Sequence, residues 1–352
     1  MNQKPKSKSG VRLPAEWEPQ SFLQLTFPHA SSDWASMLNE ATSCFVEIIQ
    51  NTANFEPVLV VCDNAEEVRS FFENTNHIYF AEAPSNDTWT RDHGGITVLK
   101  EGSPIIHDYI FNGWGNKFEA TLDNQITQKL FDAGIFQDVQ IESFDFVLEG
   151  GSIESDGNGT ILTTSECLLE NNRNPHYSKA DIENLLKQNL GVERILWLDY
   201  GYLAGDDTDS HIDTLARFCD EHTIAYVGCH DPEDEHFEAL RQMKYQLQEL
   251  TDRNEKPFHL VELPMPDPCF DHEGNRLPAT YVNFTIINDA VLVPVYGVSQ
   301  DKVAVKILEG CFPNRKIIPV NCRVLIEQHG SLHCVTMQYP EQVGLNKLNI
   351  KS

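Results

Sequence analysis

The stretch FVLEGGSIESDGNGTILTTSECLLENNRNPHYSKADIENLLKQNLGVERILWL, residues 146–198, alternates strand chemistry with one clear helix. FVLEG (146–150) and TILTT (160–164) are short apolar runs, and ESDGNGT (154–160) between them has the residues of a tight hairpin turn. No helix opens directly after its glycines, so the turn is not a phosphate loop. SKADIENLLKQNL (178–190) begins on Ser178, carries Glu183 and stops before Gly191, which marks both ends of a helix. RILWL (194–198) then resumes strand chemistry. The predicted unit is a pair of strands, a helix and a further strand.

The same alternation recurs along the chain at intervals of roughly 60 residues. Strand-like runs occur at SFLQLTF (21–27), PVLVVC (57–62), HIYFA (77–81), IAYVG (224–228), TIIND (285–289), VLVPVYG (291–297), KIIPV (316–320) and LHCVTM (332–337). Residues 31–50 open on Ser31-Ser32-Asp33 and place Trp34, Leu38 and Phe45 on one helical face. Residues 231–250 and 299–311 complete the clear helices. With no Pro/Ser/Gly-rich linker and no break in composition, residues 13–345 read as a single α/β domain. Residues 1–12 read as a disordered basic, polar tail, because no apolar core of a signal peptide follows.

The chain carries 53 acidic and 26 basic residues among 352, a formal net charge of −27. Such a field repels nucleic acid and anionic lipid and favours a cationic ligand. No run of apolar residues is long enough to span a membrane. The nine cysteines are odd in number, scattered and never spaced CxxC. That argues against a disulfide framework or a structural zinc site, and for a reducing cytoplasm.

Four segments set charged or reactive groups among apolar residues: NDTWTRDHGG (86–95), FVLEGGS (146–152), GDDTDSHIDTLARF (205–218) and EQHGSLHCVTMQYP (327–340). Read as a strand, SHIDTLARF points His211 and Asp213 to one face. Read the same way, LHCVTM sends His333 and Cys334 to opposite faces, so the base for Cys334 comes from elsewhere and His211 is the best offer. Each residue also has a plain structural role open to it: a solvated His, a buried free Cys, a core Trp. Asp92, Glu149 and Asp213 in one cleft would raise one another's pKa unless a cation sat between them. A planar guanidinium suits carboxylates bidentately, and its carbon is a target for a thiolate. Two readings from other classes stay open. DDTDSHID could bind a metal for a metallohydrolase, although no second His cluster accompanies it. A non-catalytic acidic interaction protein would leave Cys334 without a function.

Taken together, LPAEWEP (13–19), NDTWTRDHGG, FNGWG (111–115), residues 146–175, TDSHIDTLARF, YVNFTIINDAVLVPVYG (281–297) and LHCVTMQ resemble the agmatine deiminase and bacterial-type peptidylarginine deiminase family of the guanidino-group-modifying superfamily. The resemblance implies a five-bladed α/β propeller of ββαβ units with pseudo-fivefold symmetry. It implies Cys334 as nucleophile, His211 as general acid/base and Glu149 as the carboxylate that orients His211. Asp92 and Asp213 would grip the guanidinium, while Trp89 and Trp114 wall the site; His93 and Arg173 receive no role. Bound substrate and a protonated His211 would favour the Cys334 thiolate. No metal or organic cofactor is implied. The activity implied is hydrolysis of agmatine to N-carbamoylputrescine and ammonia through a covalent thiouronium, within putrescine metabolism; the alternative is conversion of peptidyl-arginine to citrulline. Two departures bear on substrate choice. Gln328-His329-Gly330-Ser331 replaces a Gly-Gly-Gly-Asn approach to the nucleophile, and Gly95 stands where many relatives have Pro. An exposed helical rim could support a homodimer.

Overall fold

The computed structural model describes residues 10–346. In the opening stretch, Ile153–Ser155 and Thr160–Thr164 pair antiparallel across the predicted turn. Arg194–Leu198 returns parallel to Thr160–Thr164 after the helix Lys179–Leu190. The Ser178 hydroxyl accepts from the Asp181 N–H, and the Asp181 carboxylate accepts from the Ser178 N–H. The capping box is thus closed by Asp181, and Glu183 instead accepts from Trp197 Nε1 at 3.0 Å. Gly191 ends the helix in the left-handed conformation at φ +68°, as a C-terminal glycine should.

Four other sheets repeat this connectivity. Ala216–Asp220 and Thr223–Gly228 form a hairpin, and His259–Pro264 joins in parallel after the helix Phe237–Glu249. Thr285–Ile286 pairs with Ala290–Val295, and Lys316–Asn321 follows the helix Asp301–Cys311. Ile96–Lys100 pairs with Ser103–Ile110, and Gln140–Val147 follows the helix Ile126–Asp132. In the last sheet Gln20–Thr26 and Val58–Cys62 are parallel around the helix Leu38–Ala53, and Ile78–Glu82 extends them. Its antiparallel member, Met337–Pro340, comes from the far end of the chain. The fold is mixed α/β, in separate small sheets with helices between them. Leu23, Phe45, Ile224, Tyr281 and Val291 belong to the largest apolar core.

Several expectations need correction. FVLEG is not the first strand of its hairpin: Phe146 and Val147 finish Gln140–Val147 of the preceding sheet, and Glu149-Gly150-Gly151 turns the chain. SHIDTLARF is not one strand, because Ile212–Leu215 forms a helical turn and the strand begins at Ala216. LHCVTM contributes only Met337 to a strand; residues before it loop, with the Thr336 N–H bonded to the His333 carbonyl. The 231–250 helix begins at Phe237. Within the 1–12 tail, Val11–Arg12 pairs with Lys100 and Leu99, so that part is ordered strand, while residues 1–9 lie outside the described residues.

A Cβ at Gly191 would lie 2.0 Å from the Val11 carbonyl oxygen, in a conformation that costs an L-residue about 1–2 kcal/mol by itself. Gly191→Ala is expected to lower the urea midpoint. An unchanged midpoint would show that this helix end relaxes freely.

Candidate active site

Gly151 marks the convergence of the predicted site residues. A Cβ built there would stand 2.6 Å from His211 Nδ1, 2.8 Å from Asp92 Oδ1 and 3.2 Å from Asp213 Oδ2. Only a residue without a side chain admits three functional groups so close to the backbone. The Gly151 N–H donates to Asp92 Oδ1 at 3.0 Å, and Trp114 Nε1–H donates to Asp92 Oδ2 at 3.0 Å. His211 Nδ1 stands 3.6 Å from Asp92 Oδ1. His211 Nε2 and Asp213 Oδ1 are buried and have no hydrogen-bond partner among the described residues. Their hydrogen-bonding capacity is thus unused by the described residues, although neither residue lines the cleft described next.

Cys334 lines a cleft of about 360 Å³ together with Trp89, Asp92, Phe111 and Trp114. Its loop is tied down by Asn283, whose Oδ1 accepts from the His333 N–H at 2.9 Å and the Cys334 thiol at 3.4 Å. The Arg91 N–H bonds the Cys334 carbonyl at 3.0 Å, which couples the loop to the turn bearing Asp92. Gly330 lets Trp89 pack close against the backbone, since a Cβ would be 2.1 Å from the indole. Four non-glycine residues in the left-handed region border the site: Trp114 (φ 54°), Asp209 (φ 62°), Ser210 (φ 64°) and His329 (φ 65°). Strain of this kind persists only where surrounding contacts impose it, and functional sites are where it collects.

Charge is concentrated here with little water to screen it. Burial, aided by Glu149, pushes the Asp92 carboxyl up to about 7. Burial, with Asp92 adjacent, raises Asp213 far above the carboxylate range. The same burial, with Asp213 and Asp92 nearby, raises the Cys334 thiol well above its ordinary value. His211 is driven the other way by burial and by Arg173, which favours its neutral form. Without a ligand, burial therefore favours a neutral imidazole and a protonated thiol; the expectation of a protonated His211 concerns the site with substrate bound.

The geometry also revises other expectations. His211 and Asp213 converge not through strand alternation but through an extended His211 that precedes the helical turn Ile212–Leu215. Glu149 is clamped by Arg173, whose Nε donates to its two oxygens at 2.8 and 3.1 Å. Arg173 also donates to Asp209 at 2.6 Å, giving it a structural place that the sequence left open. Glu149 stands with Cys167 and His211 in a group whose ligand atoms lie within 4.8 Å of one another, but no hydrogen bond joins it to His211. A second such group, Glu16, Glu154 and His333, also has its carboxylates engaged by an arginine, Arg217. His93 lies beside Phe111 with Nε2 3.3 Å from Thr26 Oγ1.

Sequence reasoning missed the layer beneath the site. Glu16, Arg91, Glu154, Arg217, Asn283 and His333 are all buried. Arg217 bonds Glu16, Glu154 and the Phe284 carbonyl. One signal was present: an arginine between Ala216 and Phe218, in a strand whose other residues up to Cys219 are apolar, must find buried partners.

A family model described as Porphyromonas-type peptidyl-arginine deiminase matches residues 12–340. The chain belongs to this family. Among curated members, the agmatine deiminase of Pseudomonas aeruginosa is 33% identical, over 94% of this chain and 96% of that one. A solved C. jejuni agmatine deiminase, a cysteine-to-serine variant with substrate bound, is 41% identical with a TM-score of 0.88, covering 94% and 96% of the two chains. An arginine deiminase candidate from Porphyromonas gingivalis is 50% identical with a TM-score of 0.91, covering 95% and 99%. Likeness over nearly the whole chain at this identity reaches well beyond shared fold.

Two outcomes follow from the site's crowding and charge. Gly151→Ala is expected to cut kcat/KM by about 10²-fold, since misplacing a reacting group by an ångström has that effect; near-normal turnover would mean that Asp92 and His211 need not stand where they do. A protonated Asp92 cannot grip a cation, so kcat/KM should rise with pH through about 7. A flat profile from about pH 5.5 to 8 would show that Asp92 is already ionised in the free enzyme.

Proposed function

We propose that this protein is an agmatine deiminase, hydrolysing agmatine to N-carbamoylputrescine and ammonia. The observation that carries this is the placing of Asp92, His211 and Asp213 around one glycine, with Asp92 sharing an acidic cleft with Cys334. The curated relatives named as agmatine deiminases support the same reading.

The cleft favours a guanidine lacking a carboxylate. Asp33, Asp87, Glu119, Asp123 and Asp207 line it. Lys117 is the one lining cation among the described residues, and its ammonium is taken by the Asp207 carbonyl and by Asp209, each at 2.7 Å. Arginine's carboxylate would meet this acidic wall without a partner, whereas the far amine of agmatine is attracted to it.

Catalysis starts from the neutral pair. Asp92 and Asp213 hold the guanidinium with its carbon toward Cys334, converting a bimolecular reaction into a local one. Burial keeps the thiol protonated in the free site; the bound cation favours its ionisation, and the thiol proton passes to His211 as sulfur attacks carbon. The imidazolium returns that proton to the departing nitrogen; the C–N bond breaks and ammonia leaves. A thiouronium cation remains on Cys334. Water adds to it, His211 takes one of its protons, and the C–S bond breaks to release the ureido product. Of the two protons then freed, one restores the thiol and the other leaves on ammonia as ammonium.

We further infer that the five repeated units stand as blades about a common axis, which their shared arrangement of an antiparallel strand pair and a parallel strand after a helix supports. No helix among the described residues is long and apolar enough to cross a membrane. A cytoplasmic setting fits nine cysteines that are all unpaired.

The test is ureido-product formation from agmatine, free arginine and a blocked arginine peptide. Product is expected from agmatine, with Cys334→Ala at least about 10³-fold slower. Product from the peptide alone would keep the chemistry and replace the substrate.

A further inference from the structure

His333 is held between two carboxylates. Its Nδ1 stands 2.7 Å from Asp213 Oδ2, and its Nε2 stands 2.9 Å from Glu16 Oε2. Neutral imidazole has one N–H and one lone pair, while ionised carboxylates only accept. Two contacts this short therefore require two protons among the three groups. Either His333 is an imidazolium between two carboxylates, or it is neutral and one carboxyl carries the second proton.

Glu16 is fixed as the ionised end. Its Oε1 accepts from the Ile286 N–H at 2.6 Å, and its Oε2 accepts from Arg217 and His333. Although burial alone would raise it, the Arg217 charge, with the hydrogen bond from His333, holds Glu16 below the usual carboxylate range. The mobile proton is thus shared between His333 Nδ1 and Asp213 Oδ2. In the free protein, burial, Arg217 and Arg91 disfavour a charged His333, and burial and Asp92 disfavour a charged Asp213. The proton then sits on Asp213, which donates to Nδ1, while Nε2–H donates to Glu16.

We propose that His333 is a positioning residue that takes the proton from Asp213 when a guanidinium binds, so that Asp213 ionises without losing a proton to solvent. The inference rests on Asp213 gripping the guanidinium, as argued above. The transfer is balanced: Asp213 COOH and neutral His333 become Asp213 carboxylate and imidazolium. The surrounding charge also allows it. Glu16 and Glu154 face Arg217 and Arg91 before the transfer, two acids against two bases. Afterwards Asp213 and His333 are added, three against three. Net charge beneath the site does not change, while Asp213 Oδ1, which has no protein partner among the described residues, gains the charge that a guanidinium needs. Glu16, Glu154, Arg91 and His333 also line a separate cavity of about 70 Å³, so exchange with solvent is possible; the proposal fixes the count of protons, not their route.

The experiment uses Cys334→Ala, which removes the chemistry and the thiol proton. Agmatine, and separately guanidinium chloride, is titrated calorimetrically at about pH 8, above the Asp92 carboxyl, in two buffers of different ionisation enthalpy. The same is done with His333→Asn added, whose amide still donates toward Asp213 but takes up no proton. The double variant should release about one more proton per site than Cys334→Ala. Its affinity should also fall with acidity about tenfold per pH unit more steeply. Equal proton counts would overturn the proposal. Should His333→Asn not fold, ¹⁵N-histidine spectra of Cys334→Ala decide the matter: one buried imidazole becomes doubly protonated on saturation, and no such change refutes the relay. Wild-type turnover of agmatine tests the functional reading separately, because the count with guanidinium ion does not depend on which guanidine is the natural substrate.

Discussion

The structure is organised around buried carboxylates that lack a sufficient permanent counter-charge. Asp92, Glu149, Asp213, Glu16 and Glu154 are all nearly inaccessible to solvent. Arg173 satisfies Glu149, and Arg217 satisfies Glu16 and Glu154. Asp92 and Asp213, by contrast, have no cation bonded to them. Neutral donors hold Asp92, and His333 holds Asp213. An isolated buried carboxylate is so costly that the group takes up a proton instead. The pair that lacks arginine is therefore the pair that a cationic ligand would complete.

This division explains why the thiol can be unreactive alone and reactive with substrate. Burial raises the thiol most, and the two aspartates that would grip the guanidinium raise it further whenever they are ionised. A guanidinium bound against the thiol would favour its ionisation at the moment of use. Nucleophile activation and substrate recognition are then one electrostatic event. A cysteine kept protonated until a guanidinium arrives is also shielded from adventitious oxidation, which follows thiolate character and exposure.

Much of this was legible in the sequence, for identifiable reasons. The Lys179–Leu190 helix declared itself through Ser178 and Gly191, because capping is local chemistry. Asp92, Glu149, His211, Asp213 and Cys334 stood out as reactive groups among apolar neighbours. The route by which they meet did not. Strand alternation was applied to SHIDTLARF and LHCVTM, where a helical turn and a loop stitched by Asn283 prevail. Those conformations are set by long-range contacts, which no local pattern encodes. The supporting layer was hidden for the same reason: Glu16 reaches His333 and Arg217 from more than 200 positions away. Its partners cannot be inferred from its neighbours in the chain.

The supporting layer also shows what stability gives up for function. Replacing a buried ion network with apolar residues of similar volume is often neutral or stabilising, whereas removing one member strands a charge. Arg217 joins the strand Ala216–Asp220, the segment carrying Glu16, the strand carrying Glu154 and the segment carrying Phe284. An apolar core there could bind those elements equally well. It could not present His333 to Asp213 with a carboxylate behind it. The network is better understood as a proton-holding foundation for one aspartate than as a staple for the fold. That is why its charged members are gathered directly beneath the site, while the helices between the sheets pack through ordinary apolar faces such as Phe45, Ile48 and Ile49.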